Sequence, residues 1–104
     1  MLDLKAKIKT REFLRHIQVL GQNSSDRIVD GFEKTEKELI NKFTADTEEL
    51  MNHNEWGVGL ENLLNSLYEI EFRLDMKAVD LAIGAIAECK LDYKKWKFIE
   101  ELVK

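Results

Sequence analysis

The chain has 104 residues, enough for one domain of ordinary size and too few for a second, so a single helical domain over residues 1–104 is expected. A formal net charge of −4 argues against a general nucleic-acid binder, which needs a cationic face to release counterions, and 44% hydrophobic residues exclude a disordered chain although 35% are charged. With no proline and only five glycines, little stops a helix, and the fold class expected is all-α, a small helical bundle of about five helices.

The first helix is expected from about Leu4 to Leu20. Ala6, Phe13, Ile17 and Leu20 share a side, and Lys5, Lys7, Lys9, Arg11 and Arg15 make it basic. Gly21 then reads as the glycine just past a helix end, with Ser24 and Ser25 able to cap the next helix. From Asp26 to Asn52 the residues Ile28, Val29, Phe32, Leu39, Ile40, Phe43 and Leu50 keep to one helical stripe. One helix or two fit this stretch equally, since Asp46 followed by Glu49 could form a capping box that restarts a helix near Thr47.

After a break at His53-Asn54, the third helix is the most regular: Trp56, Leu60, Leu63, Leu67, Ile70 and Leu74 share one face. Asp75 can cap a fourth helix whose Val79, Leu81, Ala82, Ile83, Ala85, Ile86 and Cys89 cover most of its circumference, which predicts the central position in the bundle. Leu91-Asp92 starts a last short helix with Tyr93, Trp96, Ile99 and Val103 facing inward. No apolar run approaches the roughly 18 residues of a membrane span, and the start Met1-Leu2-Asp3-Leu4-Lys5 has no signal-peptide core. With Cys89 as the only cysteine, a reducing, cytoplasmic location is expected.

Residues for catalysis are scarce. His16, His53 and Cys89 could form a nucleophilic set only if the fold assembled them, and Cys89 sits in an apolar helix where a thiol usually serves as a small hydrophobe. No His/Cys cluster has zinc-ligand spacing, and Gly57-Val58-Gly59 lacks the strand and third glycine of a phosphate loop. Those glycines suit close approach of a neighbouring backbone. Accordingly no enzyme activity, metal or cofactor is expected.

Carboxylates dominate the middle of the chain, and their asymmetry against the basic first helix can steer a cationic partner. The candidate partner-binding residues are Glu48, Glu49, Glu55, Glu61, Glu69 and Glu71, with Tyr68 and Phe72 as aromatic anchors at the edge of an apolar face. Glu71 falls near that apolar side on a helical wheel, so it should pair with a cation or sit at a mouth of the core.

The segment His53–Ile70, HNEWGVGLENLLNSLYEI, resembles the MafI family of bacterial immunity proteins, related to those of contact-dependent growth inhibition systems. The resemblance is carried by Glu55, Trp56, Gly57 and Glu61, followed by Leu60, Leu63, Leu64 and Leu67, and extends loosely to Leu91-Asp92-Tyr93 and Trp96. It implies a protein that binds and neutralises a cognate toxin domain, often a nuclease, with no nucleic acid, membrane or small-molecule substrate as partner. A nuclease presents a cationic cleft, which an acidic helical face can occupy with carboxylates in place of phosphates. The Glu55-Trp56-Gly57 start also has a structural reading, with Trp56 packed in the core. The rival class is a small helical adaptor or transcriptional regulator; DNA binding ranks low within it because the third helix has asparagines but no basic neighbour except Arg73.

Overall fold

The computed structural model describes residues 4–103; Met1–Asp3, on which part of the signal-peptide expectation rested, lie outside them. Helix α1 (Leu4–Gln22) is followed by a two-residue hairpin, β1 (Ile28–Val29) and β2 (Lys34–Thr35), then by α2 (Glu36–Asn52), α3 (Trp56–Glu69), α4 (Met76–Glu88) and α5 (Tyr93–Trp96), which continues as a 3-10 helix over Lys97–Leu102. The all-α reading holds, with the hairpin as an addition.

The basic helix α1 packs on α2, α3 and α4, and α2 in turn packs on α3. Its Phe13, Leu14 and Ile17 are fully buried, each side chain contributing about 1.5–3 kcal/mol by leaving water. The expectation that α4 occupies the centre is corrected. Met76 is 61% and Ile83 38% exposed, so the apolar girth of α4 reflects a covered side plus an uncovered one.

Two boundaries also move. Gly21 is inside α1 and buried, and a Cβ there would come within 2.9 Å of Ile40 Cβ, so the glycine exists to let α1 and α2 touch. Ser24 does not cap a following helix; its hydroxyl donates to the Gly21 carbonyl at 2.6 Å. The stripe over 26–52 is one helix preceded by the hairpin, in which Ile28 pairs with Thr35 and Val29 with Lys34 around Gly31 at φ +89°. The capping box belongs to Thr35 and Glu38 rather than Asp46 and Glu49. Glu38 N–H donates to Thr35 Oγ1 at 3.2 Å, and Thr35 N–H donates to Glu38 Oε1 at 3.1 Å. The amide and hydroxyl of Thr35 hold the Glu38 carboxyl below the ordinary glutamate range.

Helices α2, α3 and α4 close in the same way. Asn54, Glu71 and Lys90 take left-handed conformations at φ +62°, +51° and +59°. The amide after each reaches back five residues, Glu55 to Leu50, Phe72 to Leu67 and Leu91 to Ile86, at 2.9–3.0 Å. This is the Schellman closure with a non-glycine residue at its left-handed position. It ends α3 at Glu69, short of the expected Leu74, which instead donates its amide to the Leu102 carbonyl and bridges Val103.

Asp75 caps α4 as expected, accepting from Ala78 N–H at 2.8 Å, and also meets His16 Nε2 at 2.9 and 3.0 Å, which ties α1 to the start of α4. Desolvation pushes the Asp75 carboxyl up, but the hydrogen bonds from His16 and Ala78 outweigh it and hold the group below the ordinary aspartate range.

Three outcomes are expected. Gly21→Ala gains about 1 kcal/mol of helix propensity but overpacks against Ile40 by about 1–3 kcal/mol, so thermal melting should show net destabilisation that Ile40→Ala partly relieves in a double-mutant cycle. Thr35→Ala should cost about 1 kcal/mol in denaturant unfolding. Because the folded Asp75 is depressed, its charge stabilises above the unfolded aspartate value of about 4 and is lost as pH falls through the folded value. Asp75→Asn keeps a capping side chain, so its melting temperature should lie below wild type near neutrality and converge with it in acid.

Candidate protein-binding face

Helix α3 buries Gly59, Leu60, Leu63, Leu64 and Leu67. The close approach expected of its glycines occurs at Gly59, where a Cβ would meet the Thr47 carbonyl of α2 at 3.3 Å. With one side fixed this way, helical geometry turns Val58, Glu61, Asn62, Asn65, Tyr68 and Glu69 outward. Val58 is 48% and Tyr68 42% exposed, Glu61 is half-buried, and the others are exposed.

The C-terminal segment runs along one edge of this face. Tyr68 packs on Phe98 with ring centroids 4.4 Å apart and planes tilted by 50°, and Phe98 meets Trp96 at 5.7 Å and 59°. The result is an aromatic row that passes from the surface at Tyr68 to the buried indole of Trp96. Beside it lies an open groove of about 410 Å³ lined by Glu61, Asn62, Asn65, Lys95, Trp96 and Phe98. The arrangement offers a carboxylate, two carboxamides and an ammonium around aromatic rings, suited to a polar protein surface with an apolar anchor.

Of the residues expected from sequence, Glu61, Tyr68 and Glu69 come together here. Glu55 is exposed at the residue preceding α3 and its side chain makes no cap hydrogen bond. Glu48 lies apart, in a groove between α1 and α2, where it accepts from Gln18 Nε2 at 2.9 Å. Glu49 is exposed on α2, its carbonyl accepting from His53 Nδ1 at 2.9 Å. Two expectations are corrected. Phe72 is only 3% exposed and belongs to the core, because the chain turns inward after α3 and carries the ring with it. Glu71 is exposed in the left-handed turn and not on an apolar side, since the wheel that put it there assumed a helix that has already ended. Trp56 is half-buried against the core at the start of α3.

Sequence reasoning missed Phe98 and the outward role of the row. The available signal was that Phe98 falls outside the inward set Tyr93, Trp96, Ile99 and Val103.

The possible nucleophilic set is not assembled. His16 meets Asp75 at one end of α4, Cys89 meets Thr10 Oγ1 at 3.4 Å at the other end about 20 Å away, and His53 occupies the turn after α2. Among the described residues no group of three or more His, Cys, Asp or Glu is placed to hold a metal ion, and no helix is long and apolar enough to cross a membrane. Comparison with protein-family models, with curated proteins and with solved structures gave no match.

Proposed function

We propose that the chain is an immunity protein that binds a cognate bacterial toxin domain, of nuclease type, in the cytoplasm and blocks it without catalysing a reaction. The observation that carries this reading is the outer face of α3, where a Tyr68 ring seated on Phe98 stands at the edge of a face that also carries Glu61 and Glu69. It coincides with the segment that resembles the MafI family.

The physical case rests on complementarity. A nuclease cleft is cationic because it must bind phosphates, and carboxylates on a rigid helix can occupy it while an aromatic anchor supplies desolvated contact. Tyr68 suits the anchor role: it is backed by Phe98 and needs little further ordering on binding. Glu61 and Glu69 occupy the two sides of the same face, so they would set orientation and encounter rate rather than most of the affinity.

The test is association with a cognate toxin domain, identified by co-purification with this chain, measured at low and raised salt. Glu61→Gln and Glu69→Gln are expected to slow association and flatten its salt dependence, whereas Glu48→Gln, on the α1–α2 groove, should change little. Tyr68→Ala should weaken the complex by about 2 kcal/mol and, by losing a Phe98 contact worth about 0.5–1.5 kcal/mol, lower the melting temperature by several degrees, so affinities are compared at a temperature where both chains are fully folded. Salt-independent association together with unchanged affinity in the Glu61, Glu69 and Tyr68 variants would sink the assignment of this face.

A further inference from the structure

The groove of about 410 Å³ beside α3 has two walls of different origin. Glu61, Asn62 and Asn65 come from α3, and Lys95, Trp96 and Phe98 from the C-terminal segment. Trp96 is only 6% exposed, and its indole N–H is buried with no acceptor among the described residues. Buried donors are almost always paired, so an occupant that brings an acceptor to this ring gains a bond that the free chain does not make. The side chains of Glu61, Asn62, Asn65 and Lys95 also make no hydrogen bond or ion pair among the described residues. Those of Asn62, Asn65 and Lys95 are exposed as well, and can change rotamer to open a way to the indole.

The lining selects what can fill the groove. A cation has no use for the indole N–H and is repelled by Lys95, while an anion meets Glu61. A neutral group that both accepts and donates fits both walls, because Trp96 Nε1 and Lys95 Nζ donate, Glu61 accepts, and each carboxamide does both. The peptide unit is such a group, and it recurs. An extended chain turns an N–H and a C=O to the same side at every second residue, about 6.7 Å apart. Glu61 and Asn65 are separated by about 6 Å along the axis of α3, with Asn62 between them. On the opposite wall the Trp96 and Phe98 rings lie 5.7 Å apart, near the same repeat.

We infer that this groove takes a short extended peptide segment of a partner protein, a role that rests on the reading of the α3 face as protein-binding. One backbone carbonyl of the segment accepts from Trp96 Nε1, and the α3 wall reads the amides of alternate residues.

Linear peptides selected on the chain by phage display supply the probe, made synthetically with both ends capped. Titrated into the nitrogen-15-labelled full chain, such a peptide should move the Trp96 indole N–H resonance downfield, as a new hydrogen bond does, and leave that of Trp56 in place. Asn65→Ala, which alters an exposed side chain, should weaken binding roughly three- to tenfold, and Trp96→Phe roughly tenfold. Methylating the peptide's backbone nitrogens one at a time should weaken it at alternate residues. An unmoved indole resonance overturns the proposal, as do unchanged affinities in both variants or methylation effects without that alternation. Binding that depends only on a peptide carboxylate also overturns it and makes the groove an anion site. If a toxin domain is held through Glu69 and Tyr68 while no peptide enters the groove, the proposed function stands and the peptide groove falls. If peptides occupy the groove while the Glu69 and Tyr68 variants leave toxin affinity unchanged, the reverse holds.

Discussion

The structure depends on the contact between α1 and α2 at Gly21 and Ile40. Helix axes normally pack 8–10 Å apart, and the distance depends on the side chains at the crossing. Here one partner has no side chain, so the other, fully buried at Ile40, sits on bare backbone. That approach brings α1 down onto α2 and α3 and completes the enclosure of Phe13, Leu14 and Ile17. With α1 anchored there, the His16–Asp75 contact places the start of α4 against the same helix. The C-terminal segment then has α3 to lie along, which creates the Tyr68–Phe98 contact.

How much of this was legible depended on the kind of signal. Side-chain caps announce themselves, and Asp75 and Asp92 were readable because an aspartate accepting from the amide two or three residues on is a local event. Periodicity was equally reliable for α3, whose leucines repeat on one side and so fixed the outward positions of Glu61 and Glu69 in advance, while Tyr68 read only as an edge residue of the apolar face. It failed over 26–35, where Ile28, Val29 and Phe32 satisfy a helical stripe as well as a short hairpin. Nothing local told Thr35–Glu38 from Asp46–Glu49 as the working capping box. Gly21 misled for a different reason: a glycine near a helix end can serve conformation or proximity, and only its distant neighbour Ile40 reveals which. The end of α3 was hidden because its left-handed residue is Glu71, so the glycine that usually marks such an ending is missing.

The placement of carboxylates shows what composition cannot convey. The sequence is acidic through its middle, yet Glu48 faces the α1–α2 groove, Glu36 holds Arg27 at 2.8 Å, Asp46 holds Lys42 at 2.9 Å, and Glu61 and Glu69 lie on the outer face of α3. A charge total thus becomes several small fields with different neighbours. Tertiary packing decides which of them stands beside an aromatic row. It also explains why α4 looked central: Ile83 helps complete an apolar circumference, but burial on all sides is only one way to use such a helix.

The three left-handed closures at Asn54, Glu71 and Lys90 have a further consequence for binding. A residue with a side chain in that conformation costs roughly 1–2 kcal/mol more than glycine would, but its unfolded chain also has fewer conformations to lose. The corners between α2 and α3, α3 and α4, and α4 and α5 therefore lack the freedom that glycine hinges would give them. A surface whose flanking corners are stiff enters a complex already shaped, and the entropy that a looser surface would lose on docking has been surrendered during folding. In the inhibitor role proposed above, such stiffness would let modest contacts count for more, since less of their free energy offsets ordering on binding.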